Sequence, residues 1–162
     1  MTRLCEWTMK NIWRKLMGRS AAVADDTQPF ERDRYPPDDL LAQLARQQPV
    51  QVANGRELTF QAEPDEFLAL LPDAGGSCSR EAFQLLRDVL GQLREMDNLV
   101  QESCEKEFAR SSLARKNFAL HLGYIEFAGA NAVLIYYGTR VNTSWSAEFA
   151  RAANGTWQPL NF

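Results

Sequence analysis

A chain of 162 residues with a formal net charge of −3 has the length of a single domain and can bury roughly 70% of its unfolded surface, so it needs no staple to fold. Hydrophobic residues at 45% and charged residues at 24% are ordinary for a globular protein, and no stretch reaches the length of an apolar membrane span. The charge divides unevenly: residues 1–20 carry five basic residues against the single acid Glu6, while the rest carries thirteen basic and twenty acidic residues.

An acidic body with a basic leader does not match the basic face of a nucleic-acid binder. An acidic surface serves solubility, or complementarity to a basic partner. Cys5, Cys78 and Cys104 form no close ligand pair and His121 is the sole histidine, so no metal site and no fully paired disulfide framework is expected, although one bridge stays open. A reducing compartment, the cytoplasm, is the default.

In chain order, residues 1–19 read as a basic amphipathic helix, with Cys5, Met9, Ile12, Trp13 and Leu16 gathered toward one side. Residues 3–17 of it could lie on an anionic membrane surface. Residues 20–37 are small, charged and proline-bearing and read as a linker, with Phe30 and Tyr35 as possible anchors. Residues 38–162 then form a single domain.

Its first helix covers DDLLAQLARQ, with Leu40, Leu41 and Leu44 inward. VQVANGRELTFQ alternates like a hairpin about Asn54-Gly55, and PDEFLALLP reads as a second short helix starting near Pro64. From Ser79, a candidate N-cap, Phe83, Leu86, Leu90, Leu93, Val100, Cys104 and Phe108 draw one stripe along a helix that reaches about residue 109. Asp97 falls within that stripe. A lone buried carboxylate costs several kcal/mol, so Asp97 must be solvated or paired.

After the helix, LHLGYIEFAG, AVLIYYG, TSWSAEFAR and TWQPLNF read as strands, with short connections at residues 129–131 and 138–142. The expected fold class is therefore α+β: a long helix packed on a C-terminal antiparallel sheet of three or four strands, preceded by a small helix–hairpin–helix portion.

Catalytic signatures are missing: the chain has no phosphate-binding glycine loop, no dinucleotide fingerprint, no nucleophile elbow and no zinc-protease motif. No cofactor is expected. Cys104 reads as helix core, and Cys78 lacks a neighbour that would activate it. Tyr124, Tyr136, Tyr137, Trp145 and Trp157 make the sheet aromatic, but residues 118–139 contain no Lys or Arg to make it a nucleic-acid platform.

The segments LREMDNLVQESCEKEF, LHLGYIEFAGANAVLIYYGTRVNTSWSAEF and NGTWQ resemble small bacterial immunity proteins of polymorphic toxin systems, contact-dependent or type VI secretion. That resemblance covers residues 83–158 and implies a protein that binds and neutralises a cognate toxin or effector domain without catalysis of its own. The candidate partner-binding residues are Asp88, Glu95, Asp97, Glu102 and Glu105 on the long helix, with Tyr136, Tyr137 and Trp145 on the strands. Two other readings stay open. One is a small-ligand or enzymatic domain using His121, Tyr124, Glu126 and Tyr137, and the other is a membrane-peripheral adaptor using the N-terminal helix.

Overall fold

The computed structural model describes residues 32–63, 65–74, 77–110, 120–138 and 144–162. The amphipathic helix expected over residues 1–19, residues 20–31 of the expected linker with Phe30, the Gly75-Gly76 pair and residues 139–142 lie outside the described residues.

Helix α1 runs Pro37–Arg46, with Pro37 at its start, Asp38 and Asp39 in its first turn and Arg46 in its last. A proline at the first position wastes no hydrogen bond, and the charges oppose the helix dipole. Strand β1 (Val50–Val52) then pairs antiparallel with β2 (Gly55–Ala62). Because Val52 sits opposite Gly55, the turn is Ala53-Asn54, one residue earlier than the sequence pattern suggests. Gly55 is the first paired residue of β2 and has φ 147°, a conformation that an L side chain rarely adopts.

β1 reaches only residues 55–57 of β2. Side chains of the α1 segment serve the edge beyond it. Gln47 Oε1 accepts from the Thr59 N–H at 3.1 Å, and the Gln43 amide bonds both the N–H and the C=O of Gln61 at 2.8 Å. An edge that would otherwise invite another chain is thereby occupied.

The second short helix does not form. Residues Asp65–Leu71 are strand β3, paired along its length with β2. Phe67, Leu68, Ala69 and Leu71 are all buried: β3 lies between β2 and β6, with Phe67, Ala69 and Leu71 in the main core and Leu68 in a small apolar cluster on the other face. A strand buried on two sides loses its alternation, and the five-residue apolar run Phe67–Leu71 then looks helical.

A two-stranded ribbon, β4 (Asp73–Ala74) with β5 (Ser77–Cys78), leads to helix α2, Arg80–Arg110. Ser79 Oγ caps it, accepting the Ala82 N–H at 3.0 Å. Leu86, Val89, Leu90, Leu93, Met96, Val100 and Cys104 bury its inner stripe.

Strands β6 (Leu120–Ala128), β7 (Asn131–Gly138), β8 (Ser144–Arg151) and β9 (Trp157–Asn161) form a meander. That meander is not a separate sheet. β6 lies parallel to β3, and one seven-stranded sheet runs β1-β2-β3-β6-β7-β8-β9. The expected fold class, a long helix on a C-terminal antiparallel sheet of three or four strands with a small helix–hairpin–helix portion, is thus overturned: among the described residues, two helices accompany one mixed sheet of seven strands and a two-stranded ribbon. The helix α2 is the crossover that joins its two parallel neighbours.

One buried cluster unites α1, α2 and the facing side of the sheet, including Leu40, Phe60, Phe67, Leu122, Leu134 and Phe149. The other side of the sheet carries a smaller cluster of Leu68 and Tyr124 with Ile135 and Tyr137. Gly123 sits at a register shift in β6, and a Cβ there would collide with the Tyr137 ring. No helix among the described residues is long and apolar enough to cross a membrane.

The Gly123–Tyr137 approach makes a packing prediction. Gly123→Ala should destabilise the fold by about 1–3 kcal/mol in urea unfolding, and the penalty should shrink in a Tyr137→Ala background. An equal penalty in both backgrounds would separate the glycine requirement from the tyrosine.

Candidate functional site: a buried guanidinium between two carboxylates

The polar centre of the molecule forms where residues 32–36 cross the sheet ahead of α1. Asp33 and Tyr35 both have left-handed backbones, φ 60° and 61°. That conformation is tolerated by aspartate but is costly for a bulky residue, about 1–3 kcal/mol, and persists only where surrounding contacts fix it. Here they do. The backbone N–H of Asp33 donates to Asn98 Oδ1 at 3.2 Å, and Asn98 Nδ2 donates back to Asp33 Oδ1 at 3.2 Å. Arg32 points outward to Glu102 at 3.0 Å and Glu105 at 3.1 Å. Tyr35 is buried edge-on against Phe67, ring centroids 5.7 Å apart.

The two left-handed residues turn Arg34 inward between them. Its Nε and Nη2 reach the two oxygens of Asp97 at 3.2 and 3.1 Å, a bidentate pair. Its Nη1 donates to Asp65 Oδ2 at 3.3 Å and to the Leu120 carbonyl at 2.9 Å. The guanidinium also lies 5.0 Å from the centroid of the Tyr35 ring. The side chains of Asp97, Asp65 and Arg34 are 0%, 2% and 10% exposed.

Each carboxylate gathers further donors. Asp97 Oδ1 accepts from the Tyr136 hydroxyl at 2.9 Å, and Oδ2 from Gln101 Nε2 at 2.7 Å. Asp65 Oδ2 accepts from the Tyr35 hydroxyl at 2.5 Å, and Oδ1 meets His121 Nδ1 at 2.5 Å. Burial alone would push the Asp65 carboxyl up. The hydrogen bond and charge of His121, with Arg34 and Tyr35, instead hold it below its ordinary value. Burial pushes the Tyr35 and Tyr136 hydroxyls well above theirs.

Chemically, His121 and Asp65 form a base-and-orienter pair. With Nδ1 donating to the carboxylate, the buried Nε2 is the outer end and has no hydrogen-bond partner. Among the described residues no hydroxyl or thiol bonds to it. Cys104 is fully buried, and burial, followed by the charges of Glu105 and Glu107, pushes its thiol up to about 12. Among the described residues no group of three or more His, Cys, Asp or Glu side chains could hold a metal ion.

The residues singled out from the sequence fall into separate places. Asp97 and Tyr136 come together in the buried centre. The cation that Asp97 requires is Arg34 of the same chain and not a partner's, and Asp97 is buried within the stripe where its spacing set it. Glu102 and Glu105 meet on the outside through Arg32, and Asp88 pairs with Arg151 of β8 at 2.9 Å. Glu95 is exposed, Tyr137 lies on the far side of the sheet over Gly123, and Trp145 packs against the core. Tyr124 and Tyr137 share the far-side cluster, and burial raises the Glu126 carboxyl. A groove of about 850 Å³ opens between residues 32–36, α1 and β2, with Arg34, Tyr35, Asp39 and Glu63 among its walls. None of His121, Tyr124, Glu126 and Tyr137 lines it.

Sequence reasoning missed Arg34, Asp65 and Gln101. The one available signal was the aspartate in the apolar stripe, which demanded a cation somewhere in the chain.

Protein-family models, curated proteins and solved structures were compared with the chain. None matches.

The network dictates a pH dependence. The Asp65 carboxyl titrates lower folded than unfolded, so its contribution is present above its ordinary value of 3.8 and is lost as pH falls through the lowered value. The tyrosines act at the other limb, since their folded values lie above the ordinary 10.0 and stability declines as pH rises beyond it. Urea unfolding across pH should show both limbs. Asp65→Asn should flatten the acid limb and cost about 1.5–3 kcal/mol at neutral pH. An acid limb of unchanged steepness in that variant would remove Asp65 from the account.

Proposed function

We propose that this chain is a binding protein of the bacterial immunity class, which docks on a cognate effector domain in the cytoplasm and occludes it. The observation that carries the reading is the outward face of α2. Glu95 and Glu102 are exposed there seven residues, about two helical turns, apart, and Asp88 continues their row opposite the buried stripe, half-buried against Arg151 of β8. Leu99, 37% exposed, stands beside that row and supplies an apolar contact point among the acids.

Such a row steers a basic surface by long-range attraction and fixes its register on arrival. Arg32 holds Glu102 and Glu105 in place without covering them. The resemblance over residues 83–158 supports the same reading. The charged groups most able to do chemistry, Arg34, Asp65 and Asp97, are bound to one another and so leave the outer face as the surface offered to a partner.

The test is co-purification with the product of the adjacent gene, together with an assay of that product's toxicity and activity. The chain should form a stable complex and abolish the activity. Glu95→Lys with Glu102→Lys should slow association and weaken the complex at least about tenfold, with more loss at low salt and an unchanged circular dichroism spectrum. An effector that kills equally well with and without this chain would sink the reading. Undiminished affinity in the folded double variant would take the interface off α2.

A further inference from the structure

We propose that Asp65, Asp97, Tyr136 and the Leu120 carbonyl form an exchangeable guanidinium site, filled in the isolated chain by its own Arg34 and taking an arginine side chain of the partner in its place. The partner chemistry rests on the binding-protein reading above, while the site itself is tested without any partner.

The acceptors are arranged for a fork. The two oxygens of Asp97 take Nε and Nη2 side by side, and Asp65 Oδ2 and the Leu120 carbonyl both take Nη1. A lysine ammonium is a point charge and cannot fill both sides at once. The site also has an acceptor to spare. Gln101 is 1% exposed, its Nε2 is committed to Asp97, and its Oε1 is buried without a hydrogen-bond partner.

The present occupant is held under tension. Arg34 is flanked by two left-handed residues, one of them a tyrosine, and such backbone outliers gather at clamps and switches. Much of the lacing that keeps residues 32–36 down is exposed: Arg32 to Glu102 and Glu105, and Asp33 to Asn98. Arg34 and Tyr35 form part of the wall of the 850 Å³ groove while Asp65, Asp97, Tyr136 and Leu120 lie behind them, so a partner's arginine would come in from the groove as Arg34 leaves. Exchange of one guanidinium for another leaves no buried carboxylate uncompensated, which is the step that would otherwise forbid opening. Arg32 moves with the strap, so the exchange would also release Glu102 and Glu105 from their shared cation.

The test uses the full chain with N-acetyl-L-arginine methylamide as probe and N-acetyl-L-lysine methylamide as control. Arg34→Ala should have a lowered melting temperature. The arginine probe should restore it saturably, by roughly 3–6 °C at tenfold excess over a dissociation constant of about 1 mM, and the lysine probe should not. Arg32→Ala with Asn98→Ala loosens the exposed lacing while keeping the occupied site. In it the arginine probe should accelerate amide exchange at residues 33–35 and leave α2 protected. Equal response to the two probes in Arg34→Ala, or no response, overturns the proposal. Exchange at residues 33–35 that ignores the arginine probe in the second variant also overturns it, and this variant decides alone if Arg34→Ala does not fold. Success or failure here is independent of whether an effector is neutralised.

Discussion

One guanidinium, that of Arg34, stands between the carboxylates of Asp65 and Asp97, and four elements depend on its being there. Asp65 begins β3, Asp97 lies mid-way along α2, the Leu120 carbonyl opens β6, and Tyr136 reaches in from β7. Without a cation, two carboxylates in the interior would face each other's charge and lose their hydration, at a cost no apolar packing nearby could offset. With it, every oxygen of both groups has a donor. The ion cluster therefore fixes where residues 32–36 cross the sheet, and through them where α1 begins.

The topology explains why the cluster sits where it does. A parallel neighbour pair needs a crossover, and α2 supplies it between β3 and β6. The strand starts that the crossover brings together carry Asp65 and Leu120, and the helix above them carries Asp97. α1 is joined to the same region by different means, with glutamine side chains that continue the β2 ladder beyond the short β1. Polar bonds thus close the sheet on one side, while the apolar stripe of α2 fills the space beneath.

The long helix was legible because its stripe keeps period over seven turns and a serine caps its start. The C-terminal strands alternate, so their existence was legible too. Their membership of one sheet with β1–β3 was not, since parallel pairing between Leu68 and Tyr124 leaves no local trace in a chain where 56 positions separate them. Residues 65–71 were misread for a related reason: a central strand is apolar on both faces, and only the neighbours tell it from a helix. At the site, Asp97 announced itself by breaking the stripe. Arg34 did not, because a charged residue in a proline-bearing stretch looks like linker, and its inward turn depends on left-handed backbone at Asp33 and Tyr35 that no composition rule encodes. Glu95 and Glu102 are exposed on the face that helical periodicity gave them, and Asp97 lies buried within the stripe it interrupts.

The central claim is that Arg34 and Asp97 are coupled through a buried bidentate pair, and a double-mutant cycle measures that directly. Arg34→Met and Asp97→Leu should each destabilise the chain by about 3–5 kcal/mol in equilibrium unfolding, because each removes one partner of a buried bidentate ion pair. The two together should cost less than the sum of the singles by about 2–3 kcal/mol, since the double variant removes both members of the pair and Asp65 keeps its bonds to Tyr35 and His121. Additive losses, with a coupling indistinguishable from zero, would contradict the claim and return Asp97 to solvent.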